Sequence, residues 1–388
     1  MEKNMLNLKN SKHFVEYTDP ESGVVSYVFN NDSIPHSQSF YFTNPSATDD
    51  GRYIWIYCAF PPSGNAAFGR TLGVVDTVLD TFNHYPETMF HDASPIVDTE
   101  TGYAYFTNGK GLWRKHPDPK IAVELVAPIP KYLSDKGYVF KLATHMIFSP
   151  DKKKLCFDAI IGNRYYFGDI HLDSGEYELW REFDYCRNHA QYNPKKPDMM
   201  LFAEDDWVEC HTGVFHDITY DKHGKLARMW IMEKGKEPVY IPPLYTEARH
   251  EWWSGDGESI FYVDWDYGTI KYDLRTGKYT EVDPRGTWHA HATADEKYFV
   301  ADENEIDGTK WFRGCKSRVH FYNTETGRYV NIVTENPALH TREDQSVFHI
   351  DPHPQFTINE KFVMHTTTVT GKVSAAICDV SQLIEKTK

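Results

Sequence analysis

The chain has 388 residues and a net charge of −15, from 41 basic and 56 acidic side chains. That length allows a large core or several ordinary domains, and that charge excludes a general nucleic-acid binder. No apolar run approaches the roughly 18 residues of a membrane span, and the polar start Met1–Asn10 predicts no signal peptide. The six cysteines, Cys58, Cys156, Cys186, Cys210, Cys315 and Cys378, are scattered without a Cys-x-x-Cys pair. They predict a reduced, cytoplasmic chain and disfavour a thiolate zinc site. Aromatic residues make up 15% of the chain, which suits strands.

The first strand candidate in chain order is Gly23–Phe29, which has no unit of its own. A repeated pattern then begins: a polar turn, a short β-rich run, a second run, and often a closing Asp-x-x-Thr-Gly-x-Tyr hairpin. The first unit opens at Asp49-Asp50-Gly51, and the second contains Tyr103–Thr107 and Gly111–Arg114. The third opens at Ser149-Pro150-Asp151 and closes through Asp173–Trp180; the fourth contains Met199–Ala203 and Arg228–Met232. The fifth opens at Ser254–Gly257 and closes through Lys271–Val282. The sixth opens near Ala294 and closes through His320–Val330; the seventh opens at Ile358-Asn359-Glu360. Seven units at a spacing of roughly 40–50 residues predict a seven-bladed β-propeller. Residues 1–388 are read as one propeller domain, with the Gly23–Phe29 strand joining the last sheet to close the ring and cover its edge. A tandem of β-sandwiches is the alternative, but it would not require such regular turns.

Histidines fall just ahead of these units. His36 precedes the first, His145 the third, His189 the fourth, His250 the fifth, His289 and His291 the sixth, and His349 and His353 the seventh. Loops that enter the innermost strands of a propeller converge around its axis, so these residues can meet. In His349–Gln355 two prolines predict extended backbone, with Asp351 and His353 on one side as half of a metal site. The bland reading is a surface loop with incidental histidines. Cys210-His211 reads as a solvated loop, and Trp252, Trp253 and Trp265 read as blade packing.

Four segments resemble the oligogalacturonate lyases, seven-bladed propeller enzymes of pectin breakdown. Asn188–Pro194 is similar to a family segment with a histidine before a Tyr-x-Pro turn. Ala227-Arg-Met-Trp-Ile231 resembles the family's Ala-Arg-Met-Trp-Leu, and Arg249-His-Glu-Trp-Trp253 resembles its His-Glu-Phe-Trp. Asp351-Pro-His-Pro-Gln-Phe-Thr357 resembles its His-Pro-His-Pro-Ser-Phe-Thr. The resemblance implies that His250 is the proton-abstracting base and Arg228 a catalytic partner of the substrate. It also implies that His289 and His353 ligate a divalent metal, typically Mn²⁺; His289 is the better match of its pair, because a family aspartate six residues on aligns with Asp295. Two positions depart from the family: Asp351 replaces a histidine ligand, and Phe348 replaces a glutamine. Asp351 could still ligate Mn²⁺, Mg²⁺ or Ca²⁺. Gln345 and His349 are the candidates to replace the missing ligand, and a metal-free site is the other outcome.

Elimination from a uronate removes the C5 proton and places more charge on an anionic carboxylate. The chemistry needs a base, a metal or arginine to neutralise that charge, and a proton source for the leaving oxygen. His250 suits the base. Arg228 and Arg249 suit bidentate carboxylate contacts. His189 and His145 are expected to contact substrate, and they share the proton-donor role with unranked tyrosines. The expected partner is an anionic oligosaccharide, with no nucleic acid, membrane or obligate protein partner. A same-fold lyase for glucuronate or iduronate units, a binding propeller without activity, and a hydrolase are the competing readings. The hydrolase finds no Gly-x-Ser-x-Gly motif.

Overall fold

A computed structural model describes residues 6, 8–60, 68–91, 94–209, 212–265, 267–303, 316–339 and 351–388. They form seven antiparallel sheets of four or five strands, arranged as a seven-bladed β-propeller, and one two-stranded hairpin, Trp207–Val208 with Phe215–His216. Blade 1 contains His36–Gln38, Tyr53–Ala59, Phe68–Asp76 and Thr81–His91, in spatial order. Blade 2 runs from Ile96–Val97 to Glu124–Pro128. In blade 3, Val139–Leu142 pairs with Ala159–Ile161, and Lys154–Cys156 continues the same sheet. Blade 4 spans Arg187–Tyr192 to Val239–Ile241. Blade 5 spans Arg249–Trp253 to Tyr279–Asp283, and blade 6 Ala290–Ala292 to Arg328–Asn336. Blade 7 contains Gln355–Thr357, Phe362–Thr367 and Ser374–Asp379.

The ring closes as the sequence predicts, and with one strand more. Val25–Phe29 pairs with Ser374–Asp379, and Phe14–Thr18 adds outside it. The early segment therefore supplies both outer strands of blade 7. Beyond the last strand, Val380–Lys386 forms a short helix, capped where the Asp379 carboxylate accepts from Ser381 N.

The second strand of each blade reads as a near-continuous apolar run because both of its faces are covered. Trp55 and Tyr57 pack toward Ala104 and Phe106 of blade 2, whereas Ile56 and Cys58 pack toward Met364 and Ile377 of blade 7. The same division repeats around the ring. Phe202 and Met200 meet Phe167 of blade 3, and Leu201 meets Ile260 and Tyr262 of blade 5. Val300 meets Val363, while Phe299 and Ala301 meet Phe261 and Val263. The core is thus a ring of apolar layers between blades, and the axis is left for polar groups.

The polar turns fix the register. Thr48, Ser149, Ser254 and Thr293 each donate a hydroxyl hydrogen bond to the aspartate two residues on, at 2.6–2.8 Å. Asn193 accepts from Lys195 N in the equivalent turn. One such joint demands glycine: a Cβ on Gly257 (φ +70°) would lie 2.4 Å from Asn193 Oδ1, whose amide nitrogen bonds the Gly257 carbonyl at 2.8 Å. Among the described residues no helix is long and apolar enough to cross a membrane. The four described cysteines are buried and free.

Candidate active site

Counting back four residues from the turn residue of each blade gives a single register position. It is His145, His189, His250, His289 and His353 in blades 3 to 7, and Asn44 and Ser94 in blades 1 and 2. The five histidines line one cavity of about 330 Å³ at the axis. They lie at the inner strands, two of them at bulges, where the pairing register shifts between Asn188 and Gln191 and between Arg249 and Trp252. His189, His250 and His353 adopt left-handed φ values of +54°, +48° and +45°. A bulge re-aims a side chain that regular pleating would point into a blade. Non-glycine residues held this way store about 1–3 kcal/mol each, and histidine tolerates the conformation better than most.

This corrects the expectation of extended backbone at His353. The Pro354 ring disfavours helical conformations there, but His353 adopts the left-handed region just ahead of its strand. Its N–H then meets Asp302 Oδ2 at 3.3 Å. Asp351 and His353 still come together, with Nε2 3.8 Å from Oδ2. His289, Asp351 and His353 each offer a ligand atom within 4.8 Å of the others, and all three are buried. His289 Nδ1 lies 3.0 Å from Asp302 Oδ2, so it carries the proton and leaves Nε2 as the ligand atom. Two imidazoles and a carboxylate fit a first-row divalent ion. The Asp295 carboxylate accepts from Thr293 in the turn. Asp302 is the residue that holds His289.

His250 packs on His289, with ring centroids 4.1 Å apart, and its Nδ1 bonds the Trp288 carbonyl. A carbonyl only accepts, so Nδ1 carries the proton and Nε2 keeps its lone pair. Burial, then His289 and Arg228, lower the His250 pKa well below its ordinary value, and the Trp288 carbonyl opposes them less strongly. At neutral pH the ring is an uncharged acceptor of protons.

Arg228 lies at the cavity wall yet is almost fully enclosed. It donates to Glu251 at 2.9 Å and Asp205 at 3.0 Å, and a third nitrogen lies 3.4 Å from His189 Nδ1. Burial alone would lower the Arg228 pKa, but the two carboxylates outweigh it and raise it. Burial and then Arg228 push His189 down to about 4. Arg249 is less committed: its Nε is 3.7 Å from Glu247, and its guanidinium sits 4.8 Å over the Trp265 ring. Trp265 stacks on Trp288 at 4.2 Å and lines the cavity, so it does more than pack the blade. Trp252 and Trp253 are buried in interblade layers, as expected.

The cavity also takes Tyr41, Arg70, Lys141 and Asp205, none of which the sequence patterns single out. Asp302 had a usable signal: blade 3 has an acid at the same end of its second strand, where Asp158 accepts from Thr144 N at 2.8 Å. His36 lies on the inner strand of blade 1 opposite Ala59 and does not line the cavity; Asn44 takes its register place. His291 faces a neighbouring pocket and accepts from Phe356 N at 3.0 Å. Cys210, His211, Gln345, Phe348 and His349 lie outside the described residues.

The fold has counterparts. The chain is similar to a manganese complex of an oligogalacturonate lyase, with a TM-score of 0.69, 16% identity, and coverage of 94% of this chain and 96% of the other. An oligogalacturonate lyase from Vibrio parahaemolyticus gives 0.70, 15%, 95% and 96%. In sequence it is 26% identical over 232 residues to the oligogalacturonate lyase of Dickeya dadantii. This chain thus resembles the oligogalacturonate lyases, in fold along nearly its whole length and in sequence over about half of it. The oligogalacturonide lyase of Pectobacterium atrosepticum is 24% identical over 231 residues. In both curated relatives the match spans 54% of this chain and 54% of the relative, about half of each. No protein-family model matches the chain.

Proposed function

We propose that the chain is a lyase that cleaves uronic-acid oligosaccharides by β-elimination, oligogalacturonates first among them. One observation carries the reading: a neutral histidine of fixed tautomer lies against a two-histidine, one-carboxylate donor set in a cavity edged by arginines. The names of the sequence relatives and of the manganese-bound neighbour support it. Residues 1–388 are taken as one propeller domain. The four buried, free cysteines suit a reducing cytoplasm. The partner is an anionic oligosaccharide, and the chain's net charge of −15 opposes nucleic acid and anionic membrane.

In this reading His250 Nε2 takes the proton from C5. Its Nδ1–H stays on the Trp288 carbonyl, which favours the imidazolium as it forms. Arg249 meets the substrate carboxylate, with its guanidinium backed by Trp265. Arg228 pairs with Asp205 and Glu251 and orients His189. His189 and His145 contact the sugar. A divalent ion held by His289, Asp351 and His353, manganese first, would supply Lewis-acid neutralisation of the carboxylate. Asp351, which stands where the family has histidine, favours a second reading within the same chemistry: a glucuronate or iduronate substrate.

The test is incubation of the protein with galacturonate, glucuronate and iduronate oligosaccharides, with added Mn²⁺ and after chelation. Elimination creates a conjugated double bond and therefore ultraviolet absorbance, which hydrolysis does not. No rise on any uronate sinks the lyase reading.

A further inference from the structure

We propose that Tyr41 is the acid of this site, and that its phenol gives the departing sugar oxygen its proton. The inference rests on the lyase reading above. Loss of the C4–O4 bond leaves an oxyanion that needs a proton, and His145, His189 and several tyrosines are the candidates. The geometry ranks them.

Tyr41 belongs to the segment between His36–Gln38 and Tyr53–Ala59, which enters the axial cavity rather than pairing in a sheet. Its ring packs against four of the five register histidines. It lies flat on His145, at 4.1 Å and 23°, and edge-on to His189, His289 and His353 at 5.9, 6.0 and 5.0 Å. The Gln355 side-chain amide donates to the carbonyls of Phe40 and Tyr41, at 3.3 and 3.2 Å, which fixes the segment. The ring is therefore held between His289 and His353 of the donor set and His145 and His189 across the cavity.

His189 is a poor acid in this setting. Its Nδ1 faces an Arg228 nitrogen that can only donate, so Nδ1 holds the lone pair, and a second proton on the ring would sit beside a guanidinium. The N–H of a neutral imidazole is a far weaker acid than a phenol. A phenol is protonated at neutral pH, yet is a stronger acid than the sugar alcohol it must create. Burial and then Glu251 raise the Tyr41 pKa well above the ordinary phenol value, and Arg228 opposes them less strongly, so the hydroxyl keeps its proton until the oxyanion forms.

Base and acid are separate groups: His250 packs on His289 and bonds the Trp288 carbonyl, whereas Tyr41 lies flat on His145. Two separate groups suit an anti elimination, in which the proton and the oxygen leave opposite faces of the sugar, as the axial O4 of galacturonate allows. The electrons balance. The C5–H pair becomes the C4=C5 bond, the C4–O4 pair stays on oxygen, His250 gains one proton and Tyr41 loses one. Solvent returns the proton from imidazolium to phenolate, and the enzyme is restored.

Tyr41→Phe keeps the ring and its packing and removes only the hydroxyl. On digalacturonate it should lower kcat by about 100- to 10,000-fold while KM changes little. The discriminating substrate is a galacturonate bearing a para-nitrophenyl ether at O4, because nitrophenolate leaves without a proton. On it the variant should match the wild type within about threefold. Undiminished activity on digalacturonate, or an equal loss on both substrates, overturns the assignment. A wild type that yields no conjugated product from either substrate overturns the lyase reading, and this inference falls with it.

Discussion

The Asp302 carboxylate accepts the Nδ1–H of His289 at 3.0 Å and its backbone N–H at 2.6 Å. The same carboxylate takes the backbone N–H of His353 at 3.3 Å, so one buried residue orients both histidines of the donor set across two blades. Asp302→Asn keeps the size but replaces one acceptor oxygen with a donor, and His289 then loses its preferred tautomer. Mn²⁺ affinity should fall about 10- to 100-fold. A titration followed by electron paramagnetic resonance reads this without any turnover, and an unchanged dissociation constant would contradict the role.

Arg228 and Arg249 should separate into different kinds of loss. Removal of Arg228 strands Glu251 and Asp205, one of them fully buried, so Arg228→Ala should cost about 3–5 kcal/mol of stability as well as activity. Arg249→Ala breaks only a long contact to Glu247 and a stack on Trp265. It should leave the urea midpoint nearly unchanged and lower kcat/KM by about 10- to 100-fold. Paired denaturation and kinetic measurements decide, and equal destabilisation by both variants would refute the division.

Much of this was legible because repeats expose themselves. Turn residues such as Ser149, Ser254 and Thr293 set a register, and histidines at a constant offset from them could be read off before any coordinates. The interblade cores were legible as unbroken apolar second strands. What the sequence hid was conformation at the bulges and everything that reaches the site from outside the repeat. Local rules put the residue before Pro354 in extended backbone, yet a long-range contact to Asp302 accompanies the left-handed conformation of His353. Tyr41 sits in a segment that departs from the strand pattern, so no periodicity pointed to it. The ion-pair partners of Arg228 in its apolar run, Asp205 and Glu251, could not be named because they are 23 residues away on either side.

His250 supplies the sharpest kinetic expectation. If Nε2 is the base, His250→Ala should lower kcat by about 100- to 10,000-fold with little change in KM. Mn²⁺ binding should persist, because His250 is not among the donor set. Full activity in the variant would remove His250 from the mechanism, and loss of the metal would make it a structural neighbour of His289 instead.

A different histidine should shape stability. His320 is buried between blades 5 and 6, with Nε2 2.9 Å from Asp283 and Nδ1 2.8 Å from Glu303. Burial pulls its pKa down, but the two carboxylates outweigh burial and raise it above the ordinary histidine value. A group raised on folding stabilises fully below its unfolded pKa of about 6.5, and that contribution is lost as pH climbs through the folded value. Glu303 runs the other way. Burial opposes ionisation, but His320 and two arginines hold Glu303 down at about 2, so its contribution is present above about pH 4.3 and fades as pH falls toward 2. Urea midpoints measured across pH should therefore peak between these limits and decline on the alkaline side above about 6.5. In His320→Gln the alkaline decline should flatten and the peak should drop, since Asp283 and Glu303 lose a buried cation. An identical pH profile in the variant would show that His320 does not carry the charge assigned to it.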